Sequence, residues 1–410
     1  MSVLSAALAA APAAVFVWRI FLAIALLGAF SSTVFLAMAL IAAVRYRRAS
    51  AKAAQFAGAL PNPSLPPVTV LKPVHGLEPR LAENLESFFR QDYPDYEIVF
   101  GARAEGNPAL RVVEELRRKY PQVKCRVVLS GPPAWPNAKV FSLDRMIASS
   151  SNDYFIISDS DVRVQPEFLR SVIPSLLDPQ AGLFTCLYRG VPAPSYWSEL
   201  EALGMSVEMT AGVLVAEMIE GMRFALGPAI GVRRDALEKI GGIGATADYY
   251  SDDFVIGNLV WAAGYRVVLS HHAVDHVLVP SSFLRTFGHQ IRWMTSTRFS
   301  RPWGHLGTGL TFAVPFGLLG FLAAWSLGHF WLGVVLLGLT VGNRLVQSVA
   351  IGWGVVRDPR ALRSFWLYPC RDLFGFVTWA GSYFNSTFLW RGEVYRFTRG
   401  GKIIAQRSPQ

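Results

Sequence analysis

Residues 154–164 read YFIISDSDVRV, an apolar run that ends in two aspartates one residue apart, Asp159 and Asp161. The apolar part predicts a buried strand. The preceding segments alternate between strand-like and helix-like patterns, which is typical of a mostly parallel sheet with helices on both faces. Because ligands of such sheets bind beyond the carboxyl ends of the strands, the two carboxylates are predicted to face a binding site.

The alternating pattern is regular from residue 68 to residue 158, and a Pro-rich stretch, LPNPSLPP at 60–67, precedes it. Apolar spacing also predicts a helix at 254–265, directly after an acidic pair. The predicted strands are 68–73, 96–102, 125–130 and 154–158, and the predicted helices between them are 81–91, 107–120 and 140–149.

The composition indicates that part of the chain lies in a membrane. Of its 410 residues, 52% are hydrophobic and 17% are charged, which is too apolar for an ordinary soluble enzyme. No charged residue occurs from Phe21 to Val44, a length that crosses a hydrocarbon core of about 30 Å. Arg45, Arg47 and Arg48 follow, and basic residues beside a span mark the cytoplasmic side. The middle of the chain is therefore expected in the cytoplasm.

Two further apolar segments, 306–327 and 330–356, are predicted to form a transmembrane hairpin. Arg344 lies inside the second segment and must face protein or water. A last apolar stretch, 365–390, contains a proline and two charged residues. We expect it to lie in the interface or to re-enter the membrane, because a full crossing would place the basic tail outside.

The formal net charge is +10, but the basic residues are scattered and no nucleic-acid-binding motif is visible. We expect no nucleic-acid partner. An anionic membrane surface is the expected partner, with about 1 kcal/mol available per basic residue near the headgroups. The sequence leaves the oligomeric state open.

Together these patterns divide the chain into six parts. They are an N-terminal transmembrane anchor (1–48), a linker (49–67), an α/β catalytic unit (68–284), a basic interfacial helix (285–305), a transmembrane hairpin (306–356) and a membrane-associated or re-entrant segment with a basic cytoplasmic tail (357–410).

Two acidic pairs carry candidate chemistry. Asp159 and Asp161 offer the oxygen ligands that Mg²⁺ or Mn²⁺ prefers, and such an ion can bridge a diphosphate; the alternative is a solvated turn. Asp252 and Asp253 open the helix at 254–265. Either they favour the helix dipole, or one of them takes a proton from an acceptor hydroxyl.

A third group is the basic segment 285–305, in which Arg292 precedes Trp293. It is either an amphipathic helix on the headgroups or a site where Arg292 offsets charge on a departing diphosphate while Trp293 packs against an acceptor. The histidine-rich HHAVDH at 271–276 is not expected to bind zinc, because no fourth ligand is implied.

Seven motifs occur in an order that resembles glycosyltransferase family 21, the ceramide glucosyltransferases and their bacterial relatives. The resemblance implies a GT-A-like fold and an inverting transfer from a UDP-sugar to a lipid hydroxyl at the cytoplasmic membrane face, with glucose, ceramide and a bacterial inner membrane as the expected donor sugar, acceptor and location. The motifs are KPVHG, QDYPDYEIVFGA, NAKV, DSDVRV, GVRRDALEKIGG, DDF and HQIRW.

By this resemblance, Asp159 and Asp161 contact the nucleotide-sugar and a divalent cation. Asp253 matches the acid that serves as the base, and Asp252 is its neighbour. Lys139 in NAKV lies near the donor, where it counters phosphate charge, although a plain surface lysine is the alternative.

The resemblance also assigns Arg292 and Trp293 to an RW motif in the acceptor or diphosphate region. His289 stands where the family carries Gln or Arg, and Asn107 stands where a donor-binding motif usually carries Asp. Three other functions remain open: a hopanoid-type lipid glycosyltransferase, a processive polysaccharide synthase, which needs more spans, and a membrane-tethered binding protein.

Overall fold

The protein is described here from a computed structural model, which covers residues 12–390 and 393–406. The start of the predicted anchor and parts of the predicted tail, at 1–11, 391–392 and 407–410, lie outside the described residues. A long helix, α1 (Pro12–Ala59), comes first. The helix continues past residue 48, the predicted end of the anchor, because the Ala-rich stretch 51–59 favours a helix and Pro61 then ends it. The first part of the predicted linker, 49–59, is therefore helical.

An eight-stranded sheet forms the centre of the molecule, in the spatial order β3-β2-β1-β4-β7-β6-β8-β5. The first four strands in this order are parallel, as predicted, whereas β7 and β5 run antiparallel to their neighbours. The strands are β1 (Val68–Pro73), β2 (Tyr96–Ala102), β3 (Lys124–Leu129), β4 (Tyr154–Ser158), β5 (Val162–Arg163), β6 (Ala181–Val191), β7 (Ala229–Arg233) and β8 (Arg266–Val277).

Helices cover both faces of this sheet, and two apolar clusters form the core. Phe35, Ala39 and Tyr46 of α1 belong to one of them, and the Tyr46 hydroxyl donates to the Ser270 carbonyl at 2.9 Å. The apolar N-terminal helix is thus part of the catalytic unit's core. The helices after α1 are α2 (Leu81–Phe89), α3 (Ala109–Lys119), α4 (Ala138–Ala148), α5 (Phe168–Val172), α6 (Tyr196–Leu203), α7 (Thr210–Glu220), α8 (Arg234–Lys239) and α9 (Asp252–Ala262).

A π-helical turn, Gly204–Met209, joins α6 to α7. The combined helix, Tyr196–Glu220, is one of three in the described residues that are long and apolar enough to cross a membrane. The sequence analysis did not single it out. The other two are α1 and the helix Phe330–Trp353. Such π-helical turns occur often at functional sites.

The C-terminal part differs from the predicted hairpin in its first arm. Residues 306–327 do not form one helix, because the chain breaks at 309–313, just before Pro315. The arm after the break has 13 residues. The turn at Gly328 is present, with φ of +81°. The helices are α10 (Phe283–Ser300), α11 (Pro302–Thr308), α12 (Val314–Ser326), α13 (Phe330–Gln347, continued by a π-helical turn to Trp353), α14 (Arg360–Arg363) and α15 (Tyr368–Gly381).

The predicted interfacial or re-entrant segment 365–390 holds α15, which is 14 residues long. The predicted basic tail folds into a small antiparallel sheet of β9 (Thr387–Trp390), β10 (Glu393–Phe397) and β11 (Ile403–Ala405), called here the tail sheet. The Tyr250 amide donates to the Gly401 carbonyl at 3.3 Å, and the Ile403 amide donates to the Asp248 carbonyl at 2.8 Å. The tail sheet therefore holds the segment that leads into α9.

Candidate active site

A cavity of about 1460 Å³ lies at the carboxyl ends of β1 and β4. Its wall includes five of the predicted site residues from the α/β unit and α9, together with residues of α1, α7, α13 and α15. One space therefore adjoins both the acidic loops and the apolar helices. The five predicted residues are Asp159, Asp161, Asp252, Asp253 and Lys139.

Lys139 joins the two acidic pairs. Its Nζ lies 2.7 Å from Asp159 Oδ1 and 3.7 Å from Asp252 Oδ2. Burial would lower the pKa of Lys139, but Asp159 and Asp252 outweigh it and raise that pKa above its usual range. Asn137 caps α4 and also donates from Nδ2 to Asp252 Oδ1 at 3.3 Å. The NAKV motif thus brings a fixed positive charge between the carboxylates.

The carboxyl group of Asp253 lines the cavity, and its pKa is shifted. Burial, and then the charge of Asp252, raise its pKa to about 6, against the lowering effect of Lys139. A Cβ atom added to Gly227 would lie 3.1 Å from Asp253 Oδ2 and 3.8 Å from Asp159 Oδ2. Because Gly227 has no side chain, the space beside it adjoins both carboxylates, Asp159 and Asp253.

Asp161 has an oxygen that no protein group satisfies. Its Oδ1 is buried without a hydrogen-bond partner in the part of the chain that the structure describes, and its Oδ2 lies 3.6 Å from His276 Nε2. Within the same residues, no cluster of three His, Cys, Asp or Glu side chains is arranged for a metal ion. The two aspartates can offer carboxylate oxygens to a cation that takes its remaining ligands from a ligand or water.

His276 was missed by the sequence analysis, which considered 271–276 only for zinc. It lies on β8, paired with Val162 of β5 two residues from Ser160. Its neighbour Asp275 accepts from Arg163 and Arg189 at 3.1 and 2.5 Å. Only the pairing of distant strands brings these residues to the site, and no local pattern signals it.

The KPVHG motif supports the turn between the two aspartates. Lys72 is fully buried; its Nζ donates to the Asp159 carbonyl and, at 3.3 Å, to Ser158 Oγ. Burial lowers the pKa of Lys72 to about 7, although Asp159 and Asp161 oppose this. Ser160 Oγ donates to Glu78 Oε2 at 2.7 Å, and burial raises the pKa of Glu78. A lysine inside the apolar strand 68–73 was the available signal for this support.

Asn107, predicted to bind the donor, is not part of the cavity wall. Its Oδ1 accepts from the amides of Gly76 and Ala109, both at 3.1 Å, and its Nδ2 donates to the Val74 carbonyl at 3.0 Å. The side chain is thus occupied in joining the KPVHG loop to α3. We assign it a positioning role instead.

Helix α10 lies along the cavity, and its buried residues are polar: Thr286, Gln290, Thr295 and Ser296. Trp293 lines the cavity. His289 is not in the wall; its Nδ1 is 2.7 Å from Glu201 Oε1, and its ring centroid is 4.4 Å from that of Trp293. The predicted interfacial helix therefore presents polar groups to the protein interior.

Arg292 is likewise outside the wall and lies beside Tyr250, a cavity residue that the sequence analysis missed. Burial raises the pKa of Tyr250, and the positive charge of Arg292 lowers it. Tyr250 packs edge-on against Phe388, Trp390 and Phe397 of the tail sheet, with ring centroids 4.9 to 5.6 Å apart. The signal for Tyr250 was the aromatic pair directly before SDD.

The far end of the cavity contains a group of charged and amide side chains, called here the inner polar cluster. Arg371 Nη2 donates to Gln290 Oε1 at 3.0 Å and lies 3.0 Å from Glu208 Oε2. Gln290 Nε2 donates to Glu201 Oε1 at 3.3 Å. Arg344, buried as predicted, lies 3.4 Å from Asp372, whose Oδ2 caps α12 by accepting from the Ala313 and Val314 amides. The cluster consists of Glu201, Glu208, Gln290, Arg344, Arg371 and Asp372.

The match to a family decides the general activity. Residues 28–403 match the model of glycosyl transferase family 21. The chain belongs to this family. It is therefore a glycosyltransferase, and the resemblance drawn from its motifs is confirmed.

Known relatives agree with this assignment. Ceramide glucosyltransferase 1 of Caenorhabditis elegans is 21% identical over 360 residues, which cover 85% of this chain and 76% of the relative. Ceramide glucosyltransferase of Komagataella phaffii is 37% identical over 106 residues, covering 25% of this chain and 21% of the relative.

Among solved structures, the mannosyltransferase PcManGT from Pyrobaculum calidifontis, in complex with GDP-Man and Mn²⁺, superimposes with a TM-score of 0.51 at 17% identity. The superposition covers 87% of this glycosyltransferase and 98% of that chain. The predicted GT-A-like fold is confirmed.

Proposed function

We propose that this glycosyltransferase transfers glucose from UDP-glucose to the primary hydroxyl of ceramide at the cytoplasmic face of a membrane, a bacterial inner membrane by the family resemblance. One observation carries the proposal: a single cavity is lined both by the acidic loops of the sheet and by helices apolar enough to cross a membrane. A long-chain lipid leaves the bilayer at a cost of about 0.8 kcal/mol per exposed methylene, so the site has to reach the lipid.

In the proposed reaction, Asp253 accepts the proton of the acceptor hydroxyl. The acceptor oxygen attacks the anomeric carbon while the bond from that carbon to the diphosphate oxygen breaks, and UDP leaves with the bonding electrons. A single displacement inverts the anomeric configuration. The closeness of Asp253 to Asp159 supports this, because both carboxylates lie within 4 Å of the Cβ position of Gly227 and the proposed base must lie near the donor site.

The leaving diphosphate needs positive charge. Lys139, held above its usual pKa range, remains protonated and supplies one such charge beside Asp159. Asp161 and Asp159 would hold a divalent cation, Mg²⁺ or Mn²⁺, which supplies further charge neutralisation when bound. The unbonded Oδ1 of Asp161 fits this role.

The names of the relatives support ceramide as the acceptor, and the basic residues at 45–48 support a cytoplasmic catalytic unit. The test is incubation of the purified full-length protein with panels of UDP-sugars and lipids, read by mass spectrometry, with Asp253→Asn as the inactive control. Glucosylceramide is the expected product. Transfer only to a hopanoid lipid, or growth of a saccharide polymer, would show that the proposed acceptor is wrong.

A further inference from the structure

We propose that the inner polar cluster binds the headgroup of the lipid acceptor and selects neutral headgroups, those with hydroxyl and amide groups, over phosphate-bearing ones. This rests on the proposed lipid glycosyltransferase activity and adds to it a subsite and a basis for selectivity. Four features of the cluster carry it: unused donors, charge balance, distance from the acidic pair, and the apolar residues beside it.

Arg371 has donors without partners. It is 3% exposed and lines the cavity, yet among the described residues its Nε and Nη1 have no hydrogen-bond partner. Arg344, which is 2% exposed, directs its Nε to Asp372 Oδ1 at 3.4 Å, so the free donors of the cluster belong to Arg371. A buried donor of a charged group that lacks a partner is costly, so a ligand oxygen in the adjacent cavity would be strongly favoured. Carbonyl and hydroxyl oxygens of a headgroup are such acceptors.

The two positive charges of the cluster are already balanced by carboxylates, and the third carboxylate, Glu201, lies 2.7 Å from His289 Nδ1. Arg344 is paired with Asp372, and Arg371 is paired with Glu208. A neutral headgroup can add hydrogen bonds to the free guanidinium donors without disturbing either pair. A phosphate would bring uncompensated negative charge close to Glu208 and Asp372 in a site of low dielectric constant, which is strongly unfavourable. The cluster therefore favours a neutral ligand.

Helix α10 connects the inner polar cluster to the reacting groups, and its length gives the distance between them. Gln290 contacts Arg371, whereas the Ser296 hydroxyl is 2.7 Å from that of Ser251, the residue before Asp252. Six residues of α-helix separate Gln290 from Ser296, which is about 9 Å along the axis. Trp293 lines the cavity between them. A headgroup with its reactive hydroxyl at Asp253 and its other polar groups at the cluster spans such a distance.

Apolar side chains lie next to the cluster in the cavity wall. Met205 and Met209 come from the π-helical turn that also carries Glu208, and Phe312 precedes α12. Methionine side chains adapt readily to flexible apolar ligands. Acyl chains can therefore be accommodated beside the polar headgroup.

The competing explanation is that the cluster only ties α10, α13 and α15 together. Two charge variants separate the explanations: Arg371→Gln removes a positive charge from the cluster, and Glu208→Gln removes a negative one. Arg360→Gln is the matched control, because Arg360 pairs with the buried Asp358 at 3.1 Å in the same part of the chain but does not line the cavity.

The experiment uses full-length protein in nanodiscs, with ceramide as acceptor, phosphatidylglycerol as inhibitor and UDP binding measured separately. Phosphatidylglycerol can place its terminal hydroxyl at Asp253 and its phosphate toward the cluster. We expect both charge variants to raise the KM for ceramide about tenfold, the effect of losing one hydrogen bond to a charged group, with UDP affinity unchanged. Glu208→Gln should make phosphatidylglycerol a stronger inhibitor and Arg371→Gln a weaker one. Arg360→Gln should leave the KM and the inhibition as in the wild type.

A purely structural cluster would not shift the inhibitor preference in opposite directions, so unchanged KM and inhibition in both variants would overturn the inference. The wild-type protein gives a second measurement if a variant fails to fold: 1-O-methylceramide, which is neutral, should inhibit more strongly than phosphatidylglycerol, and the reverse order also overturns the inference. A wild-type protein that binds UDP but glycosylates no lipid would instead refute the proposed function.

Discussion

Asp252 and Asp253 are adjacent in the chain, but the structure gives their carboxyl groups different surroundings. Asp252 accepts a hydrogen bond from Asn137 and faces Lys139. Asp253 faces the gap beside Gly227. Because burial and the charge of Asp252 raise the pKa of Asp253 to about 6, Asp253 is the better candidate to receive a proton.

The first prediction concerns this choice. Asp253→Asn should lower kcat by about 10²- to 10⁴-fold, as expected for loss of a positioned base, with UDP affinity nearly unchanged. Asp252→Asn should retain more activity, because the side-chain oxygen at this position can still accept a hydrogen bond from Asn137 Nδ2. Single-turnover kinetics and UDP titration of both variants check this. If Asp252→Asn is inactive and Asp253→Asn is active, Asp252 and not Asp253 is the base.

The second prediction concerns pH. A base works only when ionised, so kcat/KM should rise with pH through about 6, the raised pKa of Asp253. The charge of Asp252 raises this pKa and that of Lys139 lowers it. The acid limb should therefore move to lower pH in Asp252→Asn and to higher pH in Lys139→Gln. Profiles that do not move would mean that another group controls the limb.

The third prediction concerns the divalent cation. Asp161→Asn removes charge from the carboxyl group whose Oδ1 has no protein partner, so it should raise the Mn²⁺ concentration needed for half-maximal activity. Asp159→Ala should lose turnover more completely, since Lys139 then keeps only its longer contact to Asp252. EDTA should abolish wild-type activity and added Mn²⁺ should restore it. Full activity in excess EDTA would exclude a role for the cation.

At the scale of elements, the tail sheet is the least expected part of the fold. Its aromatic residues surround Tyr250, and one of them, Phe397, is 2% exposed and contacts Phe299, Phe388 and Tyr250. Trp390, Glu393 and Tyr395 of the tail sheet also line the cavity, so the tail both forms part of the wall and supports Tyr250.

The fourth prediction follows from this packing. Phe397→Ala should weaken the tail sheet by about 3–5 kcal/mol, as for other buried aromatic truncations, and should lower kcat because Tyr250 loses support. Ile404→Ala, in the same sheet but 59% exposed, should change neither. Limited proteolysis of residues 385–406 and steady-state kinetics measure the two effects. Normal activity with a cleaved tail would show that the tail sheet is dispensable.

Local patterns predicted the elements that depend on local sequence. The bounds of β1, β2 and β4 agree with the prediction, and those of α3 and α4 differ by one or two residues, because each has a clear apolar period and turn residues at its ends. The tail sheet could not be predicted in this way, since its stability comes from Tyr250, more than 130 residues earlier in the chain. The break before α12 depends on capping by Asp372, which lies 59 residues after Ala313.

At the scale of the whole molecule, the candidate site lies where the sheet meets the apolar helices. Sequence reasoning placed the acidic pairs there because the carboxyl ends of strands are fixed by topology. It missed the inner polar cluster, whose members come from four separate helices. The signal that was available for the cluster was the presence of charged residues, such as Arg371 and Asp372, inside apolar segments.

The fifth prediction is that the cavity opens toward the bilayer. Large apolar side chains are exposed on and around α10 and α15, with Leu284, Trp303 and Phe384 exposed by 77%, 80% and 91%. Fluorophores on single cysteines at these positions should be quenched by lipid-borne quenchers. A cysteine at Arg118, exposed on α3, is the water-facing control. If the three test positions remain as unquenched as the control, a water-soluble acceptor becomes the better proposal.

The backbone link between the tail sheet and the segment before α9 also sets an order for synthesis. Residues 401–403 follow Asp253 by about 150 positions and are translated only after α12 and α13 have been made. Chains fold from the N-terminus as they emerge, so the α/β unit can form early while Tyr250 still lacks its support. A nascent chain with its later helices not yet inserted would thus hold an incomplete catalytic centre, and donor turnover would begin only once the enzyme is seated in its membrane.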